Sequence, residues 1–199
     1  MWDVPFVDGA NAVLARGRTA TGALVEDTVD ITFTRQAAVL ADPGSPFRRL
    51  AVSAGAIVQY IDPDTLVWCE DRTYASGAWG AVGGTTGLNG SWVNRSTEDP
   101  LYQTYRQGMS AYRFDVPDGS YEVQLRFASP GGTVGSRVFD VALNGATLAS
   151  GLDLVAVAGA NTAFDLTGLV EAAGGGGLTV GFTPRSGSPV ISGIDVRRT

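Results

Sequence analysis

Apolar and polar residues alternate along the middle of the chain. Every second residue is apolar in residues 112–116, and the same alternation returns in residues 121–127. A period of two sends successive side chains to opposite faces of a strand, so each run predicts a half-buried strand. Residues 117–120, Pro-Asp-Gly-Ser, are typical of a tight reversal. The pattern predicts two strands joined as a β-hairpin.

Short apolar runs separated by turn residues continue in both directions from this point. Asn144-Gly145 is typical of a two-residue hairpin turn, and the glycines at 174–177 are expected to form another hairpin loop. No stretch has the periodicity of an amphipathic helix. The fold class predicted is all-β, an antiparallel β-sandwich of jelly-roll type. Its further strands are expected near residues 13–14, 29–33, 50–60, 66–68, 137–143, 152–154, 163–166, 169–170, 178–182 and 189–196.

Residues 71–96 break this regularity. They are dense in Gly, Ser and Asn and include Tyr74, Trp79 and Trp92. Long connections without secondary structure are uncommon in compact domains and are often functional. This stretch is therefore predicted to be a functional loop.

Composition excludes several classes of function. The net charge is -6, and the chain has neither lysine nor histidine. Binding to a phosphate backbone needs basic side chains that displace counterions, so nucleic acid is not expected as a partner. Without histidine, a zinc site or a serine or cysteine triad is not expected. We predict no metal and no cofactor. The single cysteine, Cys69, is expected to be a small buried apolar residue.

Nothing in the chain predicts a membrane association. No apolar run approaches the roughly 18 to 20 residues of a membrane span. The first residues lack the charged and apolar regions of a signal peptide. The compartment therefore stays unassigned from these residues alone.

Several phrases together resemble the malectin domain, a carbohydrate-binding β-sandwich of the galactose-binding-like type. They are LAVSAGAIVQYID, DPLYQT with the following Arg106, YRFDVPDGSYEVQLRFA, RVFDVALNG and SPVISGIDV. The resemblance covers residues 48–199. It implies a module that binds an oligo- or polysaccharide.

The start of the chain is similar to a different family. The WDVPF phrase and the strands predicted after it resemble the end of an immunoglobulin-like accessory domain in glycoside hydrolase family 2, the β-galactosidase family. We expect an incomplete immunoglobulin-like piece at 1–40, a linker at 41–47 and a malectin-like domain at 48–199. The resemblance implies the catalytic domain of a parent hydrolase as a partner and a periplasmic or extracellular parent.

Sugar binding needs an aromatic face for the pyranose ring and polar groups for its hydroxyls. Candidates for stacking are Tyr74, Trp79 and Trp92. Candidates for hydrogen bonds are Asn94, Arg106 and Gln107. The alternative is that the aromatic residues close the end of the sandwich as core.

The malectin resemblance implies a di-glucose pocket of four aromatic residues and one acid. The first tyrosine of that set corresponds to Trp79 and the second to Gln107. The Tyr-Phe pair corresponds to Gly131-Gly132, and the acid falls near Gly187-Ser188. The loss of these groups indicates either a different ligand or a structural role.

Three hypotheses for function follow. The first is a non-catalytic carbohydrate-binding module, an accessory part of a family 2 glycoside hydrolase. The second is a packing module that braces the catalytic domain. The third is hydrolysis at Glu70 and Asp71, since glycosidases use paired carboxylates. In the family 2 resemblance the catalytic pair belongs to a separate barrel domain, so no catalytic residue is predicted.

Overall fold

The regular structure is almost entirely β-strand. A computed structural model describes residues 6–199. They divide into two units, with the boundary between Gln36 and Ala37. No helix among these residues has the length and apolar character to cross a bilayer.

The first unit is an antiparallel pair, β1 (Gly9–Arg18) and β2 (Leu24–Phe33). The strands predicted at 13–14 and 29–33 lie within them. Their side chains are largely exposed, including Leu14, Val25 and Val29. Of the WDVPF phrase at 2–6, only Phe6 falls within the described residues, where its ring stacks on Phe33 at 6.3 Å.

The second unit is a sandwich of two sheets. The first has the order β12-β9-β15-β4-β6-β5, with β3 also paired to β4. The second has the order β11-β10-β13-β8, with β14 and β7 also paired to β8. Neighbours are antiparallel except β4 and β6. The all-β sandwich is confirmed. Its strands are β3 (Leu40–Asp42), β4 (Ser45–Ser53), β5 (Tyr60–Ile61), β6 (Val67–Cys69), β7 (Trp79–Leu88), β8 (Thr104–Phe114), β9 (Gly119–Ala128), β10 (Val138–Leu143), β11 (Ala146–Leu152), β12 (Ala163–Ala172), β13 (Leu178–Ser186), β14 (Val190–Ile191) and β15 (Gly193–Arg198).

The main core lies between the two sheets. Phe114 of β8 and Phe139 of β10 come from one sheet, and Leu125 of β9 and Ile194 of β15 from the other, all without solvent exposure. A smaller apolar cluster is formed around Trp68. The single-turn helix α1 (Asp99–Gln103) contributes buried side chains to this second cluster.

The hairpin predicted from residues 112–127 is wrong. β8 belongs to one sheet and β9 to the other, so residues 115–118 carry the chain across the sandwich. The alternation correctly identifies the apolar face of each strand, but the two faces meet across the core instead of lying side by side. The hairpin expected around the glycines at 174–177 is wrong for the same reason, because residues 173–177 cross from β12 in the first sheet to β13 in the second. The Asp118 carboxylate links the two crossing segments, because it accepts hydrogen bonds from the N–H groups of Gly174 at 3.0 Å and Gly175 at 2.9 Å.

Other local predictions have mixed outcomes. Asn144 and Gly145 form the predicted two-residue hairpin turn between β10 and β11, with φ of 45° and 82°. The strand predicted at 152–154 is instead the end of β11 followed by a helical turn, α2 (Leu154–Val157), capped by the Asp153 carboxylate. The predicted linker at 41–47 lies in the β3–β4 hairpin, where its turn formers reverse the chain within the second unit.

The expectation of a long loop without secondary structure at 71–96 is also wrong. β7 runs through it and pairs with β8 from Trp79 opposite Phe114 to Leu88 opposite Thr104. Glycine supplies little strand propensity, but it lets backbones approach closely. Cβ atoms at Gly80 or Gly84 would meet neighbouring main chain at 2.6 Å.

Two glycines of the 173–177 crossing allow a matched test. Gly174 and Gly177 have φ of +66° and +67°, and a Cβ on Gly174 has no neighbour within 4 Å, whereas one on Gly177 would fall on the Phe114 carbonyl oxygen. Gly174→Ala should lower the free energy of unfolding by about 1–2 kcal/mol, the cost of a left-handed alanine. Gly177→Ala should lose about 1–3 kcal/mol more, because the backbone must shift. Urea denaturation measures both, and equal losses would contradict the contact.

Candidate functional site

One groove opens where the second sheet divides. β13 pairs with β8 from Leu178 opposite Phe114 to Gly181 opposite Ala111. It then stays with β10 while β14 takes its place beside β8, with Val190 opposite Gln107. The connection between β13 and β14 therefore parts from β8, and the space between becomes a depression at the surface.

The depression has two compartments that share Gly187 and Ser188. The larger has a volume of about 370 Å³, and its lining is about half polar, a larger polar share than in the smaller one. The smaller, about 240 Å³, is bounded by Phe182, Pro184 and Pro189. The larger compartment, called the polar groove below, is lined by Gln107, Pro130, Gly131, Gly132, Ser136, Arg137, Gly187 and Ser188.

All the positions that the resemblance assigns to the malectin pocket, except Trp79, line this groove. Gln107, Gly131-Gly132 and Gly187-Ser188 come from three separate segments of the chain and line it together. The bulky groups of the family set are absent at these positions, so the groove walls are largely main chain. Hydrogen-bonding groups, not aromatic faces, are what this surface offers.

Arg137 forms one wall of the polar groove. It is partly buried at the start of β10. Its Nη1 donates to the Ser188 carbonyl, and its Nη2 donates to Gln107 Oε1 at 3.4 Å. Burial lowers the pKa of Arg137 below the usual arginine value. The sequence reasoning missed Arg137 as a site residue, although Arg137 begins the strand predicted at 137–143. The nearest position that the resemblance assigned to the site was the glycine pair at 131–132.

Arg106 was predicted to bond to a ligand, but its guanidinium instead bonds to buried groups of the protein. Its Nε donates to Asp71 Oδ2 at 2.7 Å, and its Nη1 donates to the carbonyls of Gly83 and Gly84. The side chains of Arg106 and Asp71 are only 10% and 2% exposed. Burial acts to lower the pKa of Arg106, but the bond to Asp71 outweighs it and the pKa is raised.

Asp71 is fully engaged by donors. Besides Arg106, its carboxylate accepts the Tyr112 hydroxyl at 3.0 Å, the Gly55 N–H at 2.7 Å and the Arg72 N–H at 2.8 Å. This environment holds the carboxylate in an ion pair inside the sandwich. The geometry therefore does not support the hypothesis of hydrolysis at Glu70 and Asp71.

Trp92 and Asn94 lie on the loop that caps the same end of the sandwich as the polar groove. Trp92 is 75% exposed. The Asn94 N–H donates to the Asn161 carbonyl, and the Asn161 N–H donates to that of Ser129, next to the groove residue Pro130. An indole this exposed is available to a ligand.

Tyr74 and Trp79 lie at the opposite end. Trp79 pairs with Phe114, seven residues along β8 from Gln107, and is only 9% exposed. It borders an apolar cavity of about 240 Å³. The Tyr74 hydroxyl donates to the Asp115 carboxylate at 3.0 Å, and the Arg113 guanidinium lies 4.7 Å from its ring centre. The six predicted residues therefore do not form one site.

Comparison with known proteins agrees with this architecture. Residues 64–194 match the family model for the malectin domain. The beta-glucuronidase of Bacteroides uniformis superposes with a TM-score of 0.73 at 27% identity, covering 100% of this chain and 24% of that enzyme. The ANXUR2 extracellular domain from Arabidopsis thaliana superposes with a TM-score of 0.60 at 18% identity, over 76% of this chain and 41% of that one, which shows the fold alone.

A curated relative matches part of the sequence. Receptor-like protein 4 of Arabidopsis thaliana is 33% identical over 104 residues, which is 50% of this chain and 17% of that protein. This chain thus spans a small part of the length of its relatives.

The buried ion pair of Arg106 and Asp71 allows a stability test of whether Arg106 has a structural role and not a ligand-binding one. Arg106→Met should lower the free energy of unfolding by about 3–5 kcal/mol, because it leaves the Asp71 carboxylate buried without its cation. Arg197→Met is the matched control, since Arg197 pairs with Glu122 at the surface, with exposures of 50% and 33%. That loss should be below about 1 kcal/mol. Similar losses in urea denaturation would contradict the assignment.

Proposed function

The chain belongs to the malectin domain family, and on this premise we propose that it is a non-catalytic carbohydrate-binding module in the accessory region of a family 2 glycoside hydrolase. The observation that carries the proposal is the polar groove. Gln107, Gly131-Gly132 and Gly187-Ser188 meet there, and the malectin resemblance assigns the family's sugar-binding roles to these positions. Its volume, about 370 Å³, is within the range of small-molecule sites.

The chemistry of this end of the sandwich suits a saccharide. The Gln107 amide, the Ser188 hydroxyl and the peptide groups of the glycines can pair with sugar hydroxyls. The Ser136 hydroxyl is already bonded to the main chain of Thr133. The groove contains no aromatic residue, so stacking is assigned to Trp92, which is 75% exposed on the capping loop. Asn94, on the same loop, is a further hydrogen-bonding candidate.

The parent enzyme is proposed from the whole-chain likeness. The beta-glucuronidase match includes the first unit as well as the sandwich. A two-stranded antiparallel pair buries too little apolar surface to be stable alone. We therefore propose that β1 and β2 belong to an immunoglobulin-like domain completed by other strands of the parent protein. The module would hold that enzyme near a polysaccharide by adding a second contact.

A structural role is the second candidate. Trp79 is 9% exposed, and Tyr74 is bonded to Asp115, so two of the three candidate aromatic residues have packing partners within the sandwich. The small residues at the family's aromatic positions also favour it. In this case the module braces the catalytic domain and binds no sugar.

Trp92 and Tyr74 give a test that separates the two ends of the sandwich. We expect the full chain to bind a member of a panel of plant and bacterial oligosaccharides in titration calorimetry. Trp92→Ala should weaken that binding about tenfold, because an aromatic contact is worth on the order of 1 kcal/mol beyond its buried area. Tyr74→Ala, the matched control, should leave the affinity unchanged.

Two results would contradict the proposal. Absence of binding across the panel favours the structural role. An equal loss of affinity in Tyr74→Ala places the ligand at the Tyr74 end of the sandwich, away from the polar groove.

A further inference from the structure

Arg137 is the only ionisable side chain that lines the polar groove. The other lining residues are Gln, Ser, Pro and Gly. No carboxylate within residues 6–199 forms an ion pair with it. The groove therefore has a positive wall in a chain whose net charge is -6.

Other shielded arginines of the sandwich are neutralised by the protein itself. Arg49 donates to both carboxylate oxygens of Asp195, at 2.9 and 2.6 Å. Arg106 is paired with Asp71 at 2.7 Å. Arg137 instead contacts only neutral oxygens, those of Ser188 and Gln107. A cation that is partly removed from water without a counter-charge is destabilised, so a ligand that supplies the charge gains affinity.

The fork of Arg137 has donors left for such a ligand. A guanidinium carries more N–H groups than the contacts to Ser188 and Gln107 use, and the remaining ones have no acceptor within residues 6–199. Planar carboxylates match this fork and accept from two N–H groups at once. The Ser188 hydroxyl and the Gln107 amide line the same groove and can pair with neutral groups of the same ring.

We propose that the polar groove is specific for an acidic saccharide, with the carboxylate of a uronic acid residue on the guanidinium of Arg137. This rests on the proposed sugar-binding function. The smaller compartment, which shares Gly187 and Ser188 with the groove, takes the neighbouring ring. Phe182 and Pro189 are buried beneath it, and the exposed Pro184 offers an apolar surface to the C–H face of that ring.

The test compares acidic oligosaccharides with their carboxyl-reduced forms, which differ only in having a primary alcohol in place of the carboxylate. The full chain should bind at least one acidic member about tenfold more tightly than its reduced partner, the gain expected of one charge-assisted contact. Titration calorimetry measures both dissociation constants. Sodium acetate at the same concentration should not compete, which separates a saccharide site from a general anion site.

Variants assign the preference to Arg137. Arg137→Gln should abolish the preference for the acidic form, because both forms then meet the same neutral side chain. The readout is the ratio of the two dissociation constants, and an unchanged circular dichroism spectrum verifies that the sandwich is intact. Arg137→Lys keeps the charge without the fork and should retain part of the preference. Arg113→Gln, at the Tyr74 end, removes the same charge from the molecule and should retain all of it.

The outcomes separate this inference from the proposed function. Equal binding of acidic and reduced forms, or a preference that survives in Arg137→Gln, overturns the acidic specificity and leaves sugar binding in place. Competition by acetate overturns the saccharide site at Arg137. Failure to bind any oligosaccharide, acidic or neutral, overturns both.

Discussion

The buried carboxylate of Asp71 is the constraint on which the arrangement of the sandwich end depends. It follows β6 of the first sheet, and it is held by Arg106 and Tyr112 of β8 in the second sheet. A buried charge of this kind is tolerated only if its oxygens are satisfied, so the backbone must bring these donors to one point. Gly55 adds an N–H from the segment after β4, where a Cβ would fall on the Tyr105 carbonyl. Apolar packing holds the sheets together, and this ion pair fixes their register.

The same constraint orients the candidate site. Successive residues of a strand face opposite sides, so Arg106, directed into the Asp71 network, leaves Gln107 directed to the other face. Gln107 lies where β14 replaces β13 beside β8, and it thus joins the groove wall with Arg137. Two consecutive residues of β8 thus serve the buried ion pair and the surface groove.

Sequence patterns predicted where the strands lie better than they predicted which strands pair with each other. Alternation in residues 112–127 marks which side chains are buried, but it does not say whether two apolar faces share a sheet or meet across a core. β7 was missed because its glycines carry no alternation, although they are what permits its close pairing.

In the site, the residue types of Arg106 and Trp79 suggested ligand contacts, and only the fold shows that both are shielded. The family resemblance grouped Gln107 with the glycine positions, which do line one groove, because it carries three-dimensional information that local periodicity lacks. It also grouped Trp79 with them, which lies at the other end. Arg137 has no signal of its own, since its importance depends on the absence of a carboxylate that could have come from any part of the chain.

The place of β15 determines how the chain can reach this structure. Residues 193–198 lie far along the chain from β4, yet they fill the middle of the first sheet between β9 and β4. Until they pair, both of those strands keep an open hydrogen-bonding edge, which is a template for aggregation. Contacts of such long sequence separation also slow folding. The first sheet is thus expected to close in one cooperative step, when β15 joins β4 to β9, and the states in which β15 is unpaired are the ones most exposed to aggregation.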